Sequence, residues 1–179
     1  TSYNIRQANI TNYFEGVITD LDATLYACYF AEVADYYTRE NLDASSMINL
    51  LYASLRALMN PSIPDKLIRF IFELRSISMN GECPDFFTCE SCGTDESLTT
   101  FSAGHSAIYC SHCRGIVKDG LDLSQSTVYT LQYIITAPVE KLYTFTVSED
   151  VLVELKMVLG RICSQTFDKH MKSLDMILD

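Results

Sequence analysis

The sequence predicts a mainly α-helical protein that is interrupted by one small, β-containing module. Over most of the chain, hydrophobic residues recur at intervals of three and four, the spacing of helices that bury one face. Between residues 83 and 120, turn-forming residues and short strand-like runs replace that spacing. With 179 residues, 48% of them hydrophobic, the chain can bury the core of one domain and carry a small module beside it. We therefore expect residues 19–82 and 121–179 to form one helical domain, with residues 83–120 inserted between them.

Residues 1–18 show a different pattern from the helical segments that follow. Apolar residues alternate weakly with polar ones there, at Tyr3, Ile5, Ile10 and Tyr13. This alternation predicts a single strand, which is too short to form a sheet alone.

Five longer helices follow from the apolar spacing, and local signals mark their boundaries. Acidic or hydroxyl residues suited to the N-terminus of a helix occur near each expected start: Asp20, Ser45, Ser62, Ser124 and Ser148. Pro61 is expected to end the second helix, Gly81 the third, and the fourth to stop before Pro138. The third helix carries apolar residues, including Leu67 and Phe72, around more than one stripe. We therefore expect it to lie at the centre of the helical domain.

Two Cys-x-x-Cys pairs are the most informative local feature of the inserted module. They are separated by seventeen residues. A Cys-x-x-Cys turn points two thiolates at one metal ion, and two such turns complete a tetrahedral shell of four sulfur atoms. The pair spacing and the gap both fall in the range of zinc sites, and the gap holds two strand-like runs, 98–101 and 107–109. We predict a zinc ribbon with one structural zinc ion per chain, held by Cys89, Cys92, Cys110 and Cys113.

Other uses of these cysteines fit the sequence less well. A redox pair needs a helix N-terminus beneath it, whereas Gly93 directly follows the first pair. A zinc deaminase needs a His-x-Glu motif, but Ser106 and Ala107 follow His105. Four cysteines without a metal remain the plain alternative, and Cys83 or His112 could substitute as a ligand.

Composition and motifs narrow the classes of function. The formal net charge is −10, from 13 basic and 23 acidic residues, so this chain alone should bind nucleic acid poorly. Seven cysteines, four of them assigned to metal, fit a reducing cytosol better than a disulfide scaffold. We expect neither export nor a membrane anchor, because no leader and no apolar run of about 18 residues occurs. Phosphate-loop, Gly-x-Ser-x-Gly and His-Glu-x-x-His motifs are also absent, so we expect neither catalysis nor a small-molecule substrate.

Several short strings occur in an informative order. Arg6-Gln-Ala8 precedes the first helix, and Ile71-Phe-Glu-Leu-Arg75 lies before the first cysteine pair. Cys89 to Gly93 reads Cys-x-x-Cys-Gly, a run like Phe101-Ser102 lies between the pairs, and Lys172-Ser-Leu-Asp175 lies near the C-terminus. Together these strings resemble the C-terminal part of RecO, a family of bacterial recombination mediators. The resemblance covers nearly the whole chain.

The resemblance implies a non-enzymatic role in DNA repair and recombination, in the bacterial cytoplasm at the nucleoid. RecO-like proteins anneal complementary strands and help load recombinase onto ssDNA coated by single-strand-binding protein (SSB), together with RecR. The family binds ssDNA through an N-terminal OB-fold, of which residues 1–18 would keep only the last strand. We therefore expect a fragment that contacts proteins and reaches ssDNA only through the OB-fold.

The resemblance also implies that the helical domain receives the acidic, apolar-ended C-terminal tail of SSB. Such a tail needs an apolar pocket for its last aromatic residue and cations for its carboxylates. The candidate cations lie on the second and third helices: Arg56, Lys66, Arg69 and Arg75. Lys66 and Arg69 are three residues apart and should share a helix face. All four could equally be ordinary solvated charges.

A second interpretation remains open from the sequence. The same fold and zinc site would suit a helical zinc-ribbon adaptor for another cytosolic complex, such as transcription or modification machinery. An OB-fold in the parent reading frame would decide for the recombination mediator.

Overall fold

The computed structural model of the protein describes residue 4 and residues 6–177. The helices in that part of the chain are α1 Glu15–Ile18, α2 Leu21–Tyr37, α3 Ser45–Leu58, α4 Asp65–Met79, α5 Gln125–Thr136 and α6 Glu149–Thr166. The strands are β1 Leu98–Ser102, β2 Ala107–Cys110 and β3 Leu121–Asp122. Short 3-10 turns occur at Arg114–Ile116, Val139–Lys141 and Leu174–Met176. This confirms the mainly helical fold with a small inserted sheet, and none of the described helices is long and apolar enough to cross a membrane.

Two of the predicted helix starts are capped as expected. The Asp20 carboxylate accepts a hydrogen bond from the Ala23 N–H at 3.1 Å, and the Ser124 hydroxyl accepts one from the Thr127 N–H at 3.2 Å. The start predicted at Ser62 for the third long helix differs from the structure. Helix α4 begins at Asp65, after Pro64, and has no side-chain cap. Ser62 lies before the helix, since Pro64 supplies the fixed backbone angle that a helix entry needs.

Helix α4 lies at the centre of the helical domain, as the apolar residues around its circumference predict. It packs against α2, α3, α5 and α6. Its Phe72 ring stacks on Phe30 of α2 with ring centroids 4.4 Å apart, and both side chains are fully buried. Burying a side chain of this size contributes about 1.5–3 kcal/mol to stability. The two halves of the helical domain therefore share one core that is built around α4.

The inserted module contains a three-stranded antiparallel sheet in the order β2-β1-β3. Phe101 pairs with Ile108 in the predicted hairpin and with Leu121 on its other side. The Asp119 carboxylate holds the hairpin turn, because it accepts hydrogen bonds from the Gly104 N–H at 2.8 Å and the Ser102 hydroxyl at 2.7 Å. Strand β3 was not predicted, since two residues are too few to show an alternating pattern.

The predicted N-terminal strand over 1–18 is not observed in the described residues. Residues 6–13 have no assigned helix or strand, and residues from Glu15 form helix α1. Phe14 has a φ of 49°, which turns the chain into α1, and its ring packs edge-on against Tyr52 of α3. None of the described strands pairs with this segment, and an isolated strand has no partner for its backbone groups. Tyr3 and Ile5 lie outside the described residues.

Candidate metal centre and partner surfaces

The four cysteines of the two Cys-x-x-Cys pairs meet at one end of the ribbon. The Sγ atoms of Cys89, Cys92, Cys110 and Cys113 all lie within 4.8 Å of one another. The Cys92 and Cys110 sulfur atoms are 3.8 Å apart. A tetrahedral zinc site with Zn–S bonds of about 2.3 Å requires sulfur atoms about 3.8 Å apart. The donor set and its spacing therefore fit a zinc ion without rearrangement of the fold.

Backbone hydrogen bonds shape both cysteine turns. In the first turn the Gly93 N–H donates to the Cys89 carbonyl at 2.8 Å, and Gly93 has a φ of 73°, which glycine adopts without strain. In the second turn the Cys113 N–H donates to the Cys110 carbonyl at 3.0 Å. Because Cys110 is also the last residue of β2, the hairpin carries the second pair to the first.

Electrostatics at the site favour ionisation of one cysteine thiol but oppose ionisation of all four together. Burial raises the pKa of the Cys89 thiol, but N–H groups of Cys110, Cys92 and Ser91 outweigh burial and lower it to about 6. For Cys113, the Ser91 side chain favours the thiolate, yet the Cys110 thiol and burial outweigh it and raise the pKa to about 11. Four neighbouring thiolates repel one another, and a divalent cation compensates that repulsion.

The placement of the sulfur atoms indicates a structural site. Cys89 and Cys110 are buried, Cys113 is half-buried and Cys92 is exposed. Four sulfur donors fill a tetrahedral shell, so no position remains for water or substrate. Cys83 and His112 lie outside this group, which is the one cluster among the described residues that could hold a metal ion.

The ribbon is fixed to the helical domain by contacts that the sequence did not reveal. The Gln125 side-chain amide donates to the Leu98 carbonyl at 2.7 Å, and that of Gln132 donates to the Phe86 carbonyl at 2.7 Å. From α6, Arg161 donates to the Asp119 carbonyl at 2.8 Å. Each contact joins residues 27 or more positions apart, so no local pattern indicates it.

Comparison with known proteins identifies the family to which the chain belongs. Residues 18–175 match the family described as recombination protein O C terminal. This chain belongs to the RecO family. It is 29% identical over 176 residues to the DNA repair protein RecO of Acetivibrio thermocellus, with 98% of this chain and 70% of that protein covered. The DNA repair proteins RecO of Clostridium kluyveri and Desulforamulus reducens are each 26% identical, with 98% and 97% of this chain and 68% of each protein covered. The resemblance seen in the sequence is confirmed, and the chain is a RecO-family DNA repair protein.

Two of the four candidate partner cations on this RecO-family chain have contacts inside the protein. Arg69 is buried, with Nε 3.3 Å from Glu73 Oε1, and that carboxylate also accepts a hydrogen bond from the Tyr29 hydroxyl at 2.7 Å. Arg75 donates to the carbonyls of Ile134 and Ile135 in the last turn of α5. A cation that satisfies these carbonyls stabilises the C-terminus of that helix.

The other two candidate cations are exposed and lie in separate places. Arg56 lines a groove with Tyr52 and Tyr143, whereas Lys66 lines a smaller cavity beside Tyr26. The structure therefore does not bring Arg56, Lys66, Arg69 and Arg75 into one patch. Their role in partner binding stays a prediction.

A cavity of about 290 Å³ beside Arg69 was not singled out from the sequence. Its walls come from α2, α4, α6 and the segment that follows α6. They include Tyr29, Leu159, Cys163, Phe167 and Met171, and its rim includes Lys169 and His170. Burial raises the pKa of the Cys163 thiol, consistent with an apolar wall. The cations of this cavity are about a hundred residues apart in the chain, so sequence spacing could not link them.

Proposed function

We propose that this chain acts as a non-enzymatic recombination mediator that binds RecR and the acidic C-terminal tail of SSB. In this role it contributes to strand annealing and to loading of recombinase onto ssDNA. The observation that carries the proposal is the family match over residues 18–175. The names of the relatives place them in DNA repair, and the fold offers a cavity with apolar walls whose rim carries Lys169 and His170 beside Asp168.

The cavity beside Arg69 is the proposed site for the SSB tail. Its volume of about 290 Å³ has room for an aromatic side chain, and Phe167 and Met171 give that side chain apolar contacts. Lys169 and His170 stand at the rim, where they would meet carboxylates that precede the tail's end. Binding would exchange their present partners, because Lys169 Nζ lies 3.8 Å from Glu32 and His170 Nε2 lies 2.8 Å from Asp175. Among the candidate cations from the sequence, Arg69 is the one at this cavity.

We also propose that the four cysteines hold one zinc ion. Zinc would cross-link the two cysteine turns. Without it, the small sheet alone would hold these turns together. The ribbon is small, and domains of this size commonly need such a link because their own core is insufficient. The expected contribution is to folding of the ribbon.

The tail proposal is tested with a labelled peptide of the SSB C-terminus in a fluorescence-anisotropy titration. Lys169→Ala should weaken binding about threefold or more, because a rim cation is lost. Lys156→Ala is the matched control, since Lys156 is an exposed lysine of α6 outside the cavity. Arg56→Ala and Lys66→Ala test the other exposed candidates in the same assay. Arg69→Ala is unsuitable as a first variant, because it would leave the buried Glu73 carboxylate without this partner.

Two results would refute the tail site. Equal weakening by Lys169→Ala and Lys156→Ala would mean that the peptide responds only to overall charge. A folded, zinc-loaded chain that does not bind the peptide at physiological salt would exclude the site altogether. Labelled oligo-dT, run beside the peptide, should bind weakly because of the net charge of −10.

A further inference from the structure

A short segment between α5 and α6 has backbone groups without partners. Within the described part of the chain, the N–H and C=O groups of Phe145, Thr146 and Val147 form no hydrogen bond. Phe145 and Val147 are half-buried, whereas Thr144, Thr146 and Ser148 are exposed. Such alternation is typical of an extended segment with one face packed on the protein. The segment therefore resembles the edge of a sheet that has no neighbouring strand.

A groove runs between this segment and α5. It has a volume of about 680 Å³, and its walls are mainly aromatic or apolar: Tyr129, Tyr133, Phe145, Val147 and Val151. Phe145 is fixed edge-on against Tyr133, with ring centroids 5.1 Å apart. Tyr129, by contrast, is 68% exposed, although it is a large aromatic residue on a well-formed helix. No charged residue lines the groove.

Charges around the groove indicate the kind of partner. Glu149 and Asp150 directly follow the wall residue Ser148 and are exposed. Glu154, one turn further along α6, accepts hydrogen bonds from the backbone and hydroxyl of Ser124 at the start of α5. Three carboxylates thus lie in the first two turns of α6, which also carry the wall residue Val151, in a chain of net charge −10. Basic residues in a partner would complement them.

We propose that the segment 145–147 and the groove beside it accept an extended, basic peptide segment of a partner protein as an added β-strand. Backbone hydrogen bonds to residues 145–147 would hold the strand, and alternate apolar side chains would enter the groove between Tyr129 and Val147. The remaining side chains of the added strand would point outward, where lysine or arginine meets the carboxylates of α6. This surface is separate from the cavity proposed for the SSB tail, and its preference for charge is the opposite.

The test uses a synthetic peptide library of about seven residues, the usual length of a strand, with apolar residues alternating with lysine or threonine. Binding is measured by anisotropy to the full chain, to Tyr129→Ser and to Tyr13→Ser. Tyr129→Ser should weaken the best peptide about tenfold, the effect of losing one aromatic anchor. Tyr13→Ser is the matched control, because Tyr13 is 65% exposed and lies outside the groove. It should leave binding unchanged.

Two chemical variants of the best peptide separate strand addition from simple adhesion. Methylation of the backbone nitrogen at alternate residues should abolish binding in one of the two possible registers, because it removes the donors that face the segment. Replacement of lysine by glutamate should weaken binding about tenfold or more at low salt. Binding that is insensitive to methylation in both registers, or equal for Tyr129→Ser and Tyr13→Ser, would overturn the proposal. A library from which no peptide binds would overturn it as well.

Discussion

Glu73 is a carboxylate in the middle of the helical core, where only 2% of the residue is exposed. It is the Glu of the Phe-Glu-Leu string, one of those on which the sequence resemblance rested. Its neighbours in that string, Phe72 and Leu74, are fully buried. The Glu73 carboxylate forms an ion pair with Arg69 and accepts a hydrogen bond from the Tyr29 hydroxyl. Desolvation and the Glu73 charge both raise the pKa of Tyr29, so the phenol stays protonated and donates. The string therefore has a packing role in this structure.

Glu73→Ala should lower the free energy of unfolding by about 3–5 kcal/mol, because it leaves the Arg69 guanidinium buried without this counter-charge. Urea denaturation followed by circular dichroism measures the change. Glu96→Ala, at an exposed site of the ribbon, is the control and should alter the value by no more than about 0.5 kcal/mol. The double variant Arg69→Met/Glu73→Leu should recover much of the loss. A double variant as unstable as Glu73→Ala would contradict this account.

Glu32 explains the position of a second string from the sequence resemblance, Lys172-Ser-Leu-Asp175. Its carboxylate on α2 accepts hydrogen bonds from the Ser173 N–H at 2.9 Å, the Lys172 N–H at 3.2 Å and the Ser173 hydroxyl. Lys169 Nζ lies 3.8 Å away. The pKa of Glu32 is lowered below its ordinary value of 4.5 by hydrogen bonds from the Ser173 hydroxyl, the Ser173 N–H and the Lys172 N–H. Partial burial raises the pKa, but by less. Glu32 thereby fixes the C-terminal segment to α2.

The stabilisation by Glu32 should depend on pH. Since its pKa is lower in the folded chain, the contribution is complete above about pH 4.5 and is lost as pH falls through the folded pKa. Glu32→Gln should therefore reduce the free energy of unfolding by about 1.5–3 kcal/mol near pH 7. The difference from the unmodified chain should shrink below about pH 4. Urea denaturation across this range measures it, with the exposed Glu40→Gln as control. A difference that stays constant down to about pH 3 would contradict the assignment.

At the scale of elements, the ribbon is the part whose local order should depend on an ion. Mass spectrometry of metals should find about one zinc per chain, and Cys92→Ser should reduce this to well below one. Cys92 is suitable because it is exposed, so the substitution removes a donor without disturbing the core. Cys28→Ser, at an exposed cysteine of α2, should retain the metal. Removal of zinc by a chelator should accelerate amide exchange in β1 and β2 and leave α4 protected. Equal zinc content in both variants would refute the site.

Elements were predictable to the extent that their signals are local. Asp20 and Ser124 mark helix starts because a cap bonds within three residues, and the cysteine pairs mark one cluster because turn geometry fixes each pair. Strand β3 and the packing of the ribbon on α5 depend on partners that are distant in the chain. No local sequence pattern therefore indicated them. The metal itself stays a prediction, because sulfur geometry shows a fitting site and not its occupant.

At the scale of the whole molecule, the burial of individual charged side chains could not be predicted from sequence spacing. Lys66 and Arg69 are three residues apart, yet the first is exposed and the second is buried beside a cavity that residues of α2 and α6 also line. Tyr29, which reaches Glu73 beside Arg69, is 44 positions away from Glu73. A helix pattern indicates which residues share a face, but only the assembled domain decides whether that face meets water or another helix. The cavity near Arg69 arises in the same way, from three helices and the segment after α6.

The helical domain is discontinuous in the chain, since α2 to α4 precede the ribbon and α5 and α6 follow it. When Cys113 emerges from the ribosome, all four cysteines are outside it, whereas α5 and α6 have not yet emerged. At that moment α4 lacks two of the helices that cover it in the finished protein. The bonds to Glu32 from Lys172 and Ser173 span about 140 residues and close only after translation has passed Ser173. The ribbon can thus complete its fold as a nascent unit, whereas the helical core must wait until the segment that follows α6 has been synthesised.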